Sequence, residues 1–496
     1  MFAEKNTYLG SYVGQDIWLG LNDIAKVGAR CRMQPAAHKR LPEAQTSFYR
    51  KKSEFYANGM FEVRVQSTIQ VYSGFSTDEH GDYPQYYPIS GLSRPKSLHH
   101  ASERQNQRAT SATLSYAMLY DQQNGTFYDG LTYEKRDLCA YPFVSQSFDC
   151  PNYQDPQNAF VVRHTGEDEQ GVAFQRFTSG HCRNKLRSCE NGGLVWQGQC
   201  VCPDLYKGAN CDTPICVNGG ALDAVMKACD CPKGFTGLHC ELGVCYTQST
   251  NYVTMKNDGK TFALVVENTQ ANLPAIKSIK ADLKNIIDEA LKQSPGWFNT
   301  YVLVTFDANG ADIRSSGRLS QFIDNFNSMT ASQPDASTGC QYPIYGSLMK
   351  ALTSTKFNSP GSIVYLVTRG TPSDFGSMID FANTLSDKQA QFYLTSIIDK
   401  TNCASVTPDS YQVKTLSMYA YGSDGNVFFI DSGNLGIHMQ NYIPYLYDSQ
   451  VLATPTFFTE TCEQLAEAVL VDRSMDVLII TIHNDPYATF ELVDTF

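Results

Sequence analysis

Several features that would identify a chain at once are missing from these 496 residues. There is no Gly-x-Ser-x-Gly, no His-Glu-x-x-His and no complete phosphate loop, so the enzyme classes that announce themselves by motif are set aside. A dispersed Ser/His/Asp triad shows only in geometry; catalysis is not expected and no catalytic residue is assigned. The nearest approach to a phosphate loop is Gly259-Lys260-Thr261, but Thr254 stands where the first glycine is required, and the lysine precedes a strand-like run instead of opening a helix. No cofactor is expected. Basic charge is short as well. Lys and Arg number 39 against 50 Asp and Glu, a net charge of −11, which argues against a nucleic-acid partner. No apolar run approaches the length of a membrane span. The opening MFAEKNTYLGSYVGQDIWLGL has neither the basic start nor the apolar run of a signal peptide.

Cysteine, by contrast, is plentiful. There are 16, and eight of them fall between Cys189 and Cys240. Two tandem segments share one figure: a Cys, two residues and a Gly-Gly pair, then Cys-x-Cys, five residues, Gly, two residues, Cys. The figure closes on Cys200, Cys202, Gly208 and Cys211 in the first, and on Cys229, Cys231, Gly237 and Cys240 in the second. Units this short bury almost no core, so cross-links must hold them closed. Zinc knuckles prefer Cys pairs spaced more widely than Cys-x-Cys. Half-cystines in this pattern belong to an oxidising compartment. The chain is therefore expected to be secreted or extracellular, and the missing signal peptide marks it as a fragment or a gene product lacking its start. The sequon at Asn124 permits glycosylation.

The repeated Cys figure resembles the EGF-like module, which usually has six cysteines. Here each copy has four, and the third position holds Leu194 or Ala221. The resemblance implies Cys189–Cys200, Cys202–Cys211, Cys216–Cys229 and Cys231–Cys240. Neither copy opens with the acidic residues of calcium-binding EGF units. The pairing of Cys31, Cys139, Cys150, Cys182, Cys245 and Cys462 is left open; Cys462 with Cys245 is one candidate pair.

Four regions follow from the patterning. Residues 1–181 are β-rich: Met60–Tyr72 alternates apolar and polar, as do Thr113–Leu119 and Asn158–Val162, which fits an antiparallel sandwich. Residues 1–55 fit this unit less clearly and also fit the tail of an upstream one. The acidic run Asp78, Glu79, His80, Asp82 and the basic run Arg94–Arg108 read as solvated loops, not as ligand sites. Trp18–Asp23 resembles a strand of C-type lectins, but the rest of that pattern does not follow. Residues 182–240 are the tandem Cys units.

In residues 245–446 the period changes. Short apolar runs (residues 261–266, 301–306, 362–368, 391–398 and 427–430) alternate with helical patterns, the clearest being Ile276, Ile279, Leu283, Ile286, Ile287, Ala290 and Leu291. This predicts an α/β doubly wound parallel sheet, with ligands beyond the carboxyl ends of its strands. Residues 447–496 hold three strand-like runs and stop before a β-domain completes a core.

The stretches LVVENTQA, TGCQYPIYGSLMKAL, IVYLVTRGTPSDF and FYLTSIIDKTNC resemble a von Willebrand factor A (VWA) domain of the hemicentin-like subgroup. The resemblance implies a Cys340–Cys403 disulfide and a position where relatives bind a divalent cation through hydroxyls and carboxylates. Here those positions are Glu267, Thr269, Ala271, Gly339 and Arg369. Ala271 and Gly339 offer no side-chain ligand and Arg369 reverses the charge, so the site is expected to be degenerate and to hold no metal. Arg369 is then expected either to pair with Glu267 or to be one of two independent exposed charges. As a whole the chain resembles nematode secreted proteins that join such modules, the infection-response proteins among them. That implies a non-enzymatic interaction or adhesion protein of extracellular matrix or innate defence. Its partners would be extracellular or cell-surface proteins, or alternatively glycans. Metal-dependent adhesion and hydrolysis rank lower.

Overall fold

The computed structural model describes residues 259–453 apart from 331–338, 358–360, 399–402, 404–405 and 407–409, and residues 159–243 with short gaps. Elsewhere it describes strands within residues 11–147 and 465–495 and a few residues beside them. The chain is multidomain and β-rich, and its described residues include an α/β unit.

The α/β unit is a six-stranded sheet in the order Gly310–Ser316, Phe298–Asp307, Lys260–Glu267, Ile363–Thr368, Gln391–Ile397, Val427–Ile430. Five strands are parallel, and Gly310–Ser316 joins one edge antiparallel. Alternation along each strand sends side chains to both faces. Phe262, Leu264, Val266, Leu303 and Tyr365 pack with Ile276, Ile279, Leu283 and Ile286 of the helix Leu273–Gln293. Ala263, Val265, Val304 and Leu366 pack on the other face with Leu348, Phe381 and Leu416, from the helices Ile344–Leu352, Met378–Asp387 and Tyr411–Tyr421. With both faces covered, the central strands read as continuous apolar runs rather than alternating ones.

The antiparallel part differs from the expected division. The run 60–72 is two strands, Met60–Ser67 and Ile69–Ser76, and they belong to different sheets. The Ser67 hydroxyl accepts from the Ile69 N–H at 3.0 Å and donates to the Ile69 carbonyl at 2.9 Å, fixing the crossover. Ile69–Ser76 is the edge of a seven-stranded sheet that includes Thr113–Asp121, Gly125–Lys135, Ala159–Glu167 and Ala173–His181. Met60–Ser67 pairs instead with Met475–Asn484 and Ser449–Ala453, and Gln15–Asp23 runs parallel beside Met475–Asn484. Lys52–Ala57 lies between Leu465–Leu470 and Phe490–Thr495.

The expected boundaries at 181 and 447 therefore do not separate these sheets. Residues 447–496 are not left as an unfinished β-domain, and the strands within 1–55 are their partners. A strand with free N–H and C=O groups recruits whichever edge the fold brings to it, and sequence alternation does not say which.

Buried polar groups seal the contact between the antiparallel sheets and the α/β unit. Glu62 and Arg64 pair at 2.9 Å with 2% and 1% exposure. Glu62 also accepts from Asn426 Nδ2 at 2.8 Å and Tyr442 Oη at 2.9 Å. Arg64 donates to the Asp424 carbonyl and lies 5.9 Å from the centre of the Tyr393 ring.

Candidate functional site

The cysteine segment is built from small hairpins: Leu194–Trp196 with Gln199–Val201, and Ala221–Asp223 with Ala228–Asp230. Disulfides join Cys189 to Cys200, Cys202 to Cys211, Cys216 to Cys229, and Cys231 to Cys240. The two copies repeat in detail. Asn191 Nδ2 donates to the Cys211 carbonyl at 2.8 Å, and Asn218 Nδ2 to the Cys240 carbonyl at 2.9 Å. Glu190 N donates to Asn210 O, and Val217 N to His239 O. Closing loops of this size contributes about 3 kcal/mol per bond in the chain-entropy account. The remaining six cysteines lie outside the described residues, as do Asn124 and the run Asp78–Asp82. The strand Lys96–Glu103 crosses the basic run, whose residues 104–108 also lie outside them.

The carboxyl ends of the adjacent strands Lys260–Glu267 and Ile363–Thr368 bring the other predicted residues together. Glu267 is fully buried. Its Oε1 accepts from the Thr269 hydroxyl at 2.7 Å, and its Oε2 from the Thr368 hydroxyl at 2.9 Å and the Arg369 backbone N–H at 2.7 Å. Asn272 closes the turn: its Nδ2 donates to the Glu267 carbonyl at 2.8 Å and its N–H to Thr269 Oγ1 at 3.2 Å. Burial raises the Glu267 pKa; the three hydrogen bonds and the Arg369 charge oppose that rise.

Arg369 is 1% exposed. Nε, Nη1 and Nη2 have no hydrogen-bond partner among the described residues. This corrects both expectations for the pair. The two charges are not exposed, and the contact to the Glu267 carboxylate is made by the Arg369 backbone, not its guanidinium. The next residue explains why the chain is so tightly held here. A Cβ at Gly370 would lie 2.4 Å from the Tyr342 ring and 2.5 Å from the Cys340 carbonyl. Thr371 N donates to that same carbonyl at 2.8 Å, and Cys340 is bonded to Cys403.

Gly339, at φ +65°, is exposed, and Ala271 is half-buried. Neither supplies a side-chain oxygen. With the Glu267 oxygens taken by three donors and a cation at Arg369, these five positions do not fit a divalent metal. Among the described residues no group of three or more His, Cys, Asp or Glu is placed to hold one.

Three residues of this corner were not singled out from sequence: Asn272, Thr368 and Asp374. The Asp374 carboxylate accepts from the N–H groups of Tyr345, at 3.1 Å, and Gly346, at 2.6 Å, and so caps the helix Ile344–Leu352 from a distant loop. Local capping patterns carry no trace of it, because the acceptor lies 28 residues from Gly346.

Residues 65–188 match the family model described as "Irg-7-like, Ig-like domain". Over 427 residues the chain is 37% identical to Protein irg-7 of Caenorhabditis elegans, covering 84% of this chain and 19% of that protein. The chain thus spans about a fifth of the length of the curated relative it matches. Among solved structures, the mussel byssus proximal thread matrix protein 1 aligns with a TM-score of 0.29 at 15% identity, covering 40% of this chain and 48% of that one. The pilus adhesin SpaC of Lactobacillus rhamnosus GG aligns with a TM-score of 0.30 at 8% identity, over 76% and 42%. Both structural likenesses are slight. No helix among the described residues is long and apolar enough to cross a membrane.

Proposed function

We propose that this chain is part of a secreted, non-enzymatic nematode protein of innate defence or extracellular matrix, which works by binding extracellular or cell-surface proteins. The observation that carries this reading is the 37% identity to Protein irg-7 of Caenorhabditis elegans across 84% of the chain, a likeness to an infection-response protein. The disulfides add support, since such bonds persist in oxidising compartments.

In this reading the two stapled Cys units are EGF-like spacers, and the α/β unit is a VWA-like domain of hemicentin type whose metal site has been lost. Glu267, saturated by Thr269, Thr368 and the Arg369 N–H, has become a structural group, and ligand binding does not depend on a cation. A carbohydrate ligand for the N-terminal β-rich region is the second reading. It rests only on a short resemblance at Trp18–Asp23, and binding of the whole chain to a glycan array tests it.

The direct test fuses the full chain to a promiscuous biotin ligase and exposes it to nematode extracellular fluid, with the secreted ligase alone as control. Enrichment of defined surface or matrix proteins over the control is the expected result. Equal labelling by both would overturn the reading.

A further inference from the structure

Arg369 is 1% exposed, yet its Nε, Nη1 and Nη2 have no hydrogen-bond partner among the described residues. The other buried guanidinium groups among the described residues keep at least one anionic partner: Arg64 holds Glu62 and the Asp424 carbonyl through Nη2 although its Nε and Nη1 are unpartnered, and Arg176 is paired throughout. Arg176 is fully buried, and all its nitrogens are used. Nη1 and Nη2 reach the Asp472 carboxylate at 2.7 and 3.4 Å, Nη2 donates to Ser67 Oγ at 2.6 Å, and Nη1 and Nε donate to the carbonyls of Gln175 and Ile69 at 2.8 and 3.1 Å. A guanidinium does not shed its proton in a protein, so Arg369 cannot escape the cost of burial by neutralising, as a lysine can. Glu267 does not relieve it, because three other donors occupy that carboxylate.

The position of Arg369 matters as much as its lack of partners. It follows the last residue of the strand Ile363–Thr368, at the carboxyl end of a parallel sheet, where open α/β sheets bind their ligands.

We propose that Arg369 anchors a binding site for a small carboxylate, whose two oxygens each accept one N–H from the edge of the guanidinium. The planar fork matches two coplanar oxygens at carboxylate spacing. Single charge is selected as well: one guanidinium balances one negative charge, and a dianion would stand unscreened near Glu267 in a low-dielectric interior. A halide presents one acceptor point, on which the two N–H groups must converge, so it matches the parallel fork less well than two separated oxygens do. The carboxylate comes either from a free small acid or from an acidic side chain of a protein; the recognition chemistry is the same. This site goes beyond the function proposed above and stands on geometry alone, whether or not that reading holds.

The test uses the full chain at pH 7, with acetate exchanged for chloride at constant ionic strength. Melting temperature and the line width of [13C]acetate are followed together. A saturable rise of about 2–4 °C is expected with acetate over chloride, together with saturable broadening of the acetate signal. Both should be lost in Arg369→Met. If that variant does not fold, Arg369→Lys, which keeps the charge but not the fork, should weaken acetate binding at least tenfold. A Gly-Glu-Gly peptide with blocked termini separates the sources. Binding of acetate alone identifies a free small acid, and binding of both identifies a side chain as competent. No saturable acetate effect on the unaltered chain, an equal effect of chloride, or an undiminished effect in a folded Arg369 variant would each overturn the proposal.

Discussion

Lowering the pH should weaken the antiparallel unit through one histidine. His164 lies mid-strand in Ala159–Glu167, between Thr113–Asp121 and Ala173–His181, and is fully buried. The Tyr133 hydroxyl sits 2.9 Å from Nδ1, and Nε2 is 2.7 Å from the Thr178 hydroxyl. A neutral imidazole satisfies both contacts, accepting from tyrosine and donating to threonine. Burial pushes its pKa from 6.5 down to about 3. The unfolded chain therefore takes up a proton below pH 6.5 that the folded chain refuses until about pH 3. Stability is lost as pH falls through that window, and the loss levels off below it. Linkage gives about 2 kcal/mol lost by pH 5, and roughly 5 kcal/mol over the full window. Amide hydrogen exchange in the strand Ala159–Glu167, measured at pH 7.5, 6 and 5 and corrected for intrinsic rate, reads the local opening energy. His164→Leu lowers that energy at every pH, because it removes the imidazole's hydrogen bonds to Tyr133 and Thr178, but it should remove the pH dependence. The gap between the two proteins should thus narrow by about 2 kcal/mol between pH 7.5 and pH 5. Parallel pH profiles, or an imidazole resonance titrating near pH 6.5, would refute the reasoning.

Two further outcomes test other joints of the structure. Asp472→Asn strips the charge partner from buried Arg176, with 0% and 2% side-chain exposure across the pair, and should cost about 3–5 kcal/mol in denaturant unfolding; a double replacement by apolar residues should cost less than the single one. Replacing Cys340 and Cys403 by Ala opens a loop of 63 residues and should cost about 4 kcal/mol by loop-closure entropy. That loss should be read as a lower melting temperature of the α/β unit.

Much of the α/β unit was legible in the sequence because its signals are local. Ile276, Ile279, Leu283, Ile286, Ile287 and Ala290 mark one buried helix face, and the continuous apolar runs mark strands covered on both sides. The helix Tyr411–Tyr421 was not legible. Its buried face includes Thr415 and Ser417, whose hydroxyls are satisfied by the carbonyls of Tyr411 and Val413, both at 2.8 Å, so polar residue types interrupt the apolar period. The edge strand Gly310–Ser316 is mostly exposed and has no apolar stripe to betray it. Strand exchange between residues 15–67 and 449–495 depends on pairings hundreds of residues apart, which no periodicity records. At the candidate site, residue types alone argued against a metal. The roles of Glu267 and Arg369 emerged only from geometry, because a backbone N–H, invisible in sequence, takes the contact expected of the guanidinium.

The central claim, a partner-binding extracellular chain that works without a cation, is tested most directly by one binding isotherm taken twice. The labelled full chain is titrated onto intact nematode extracellular matrix in 1 mM EDTA and again in 1 mM each of magnesium and calcium, about the concentrations at which weak extracellular cation sites fill. The account predicts saturable binding of equal affinity in both. Binding that does not saturate, or that EDTA abolishes, would contradict it.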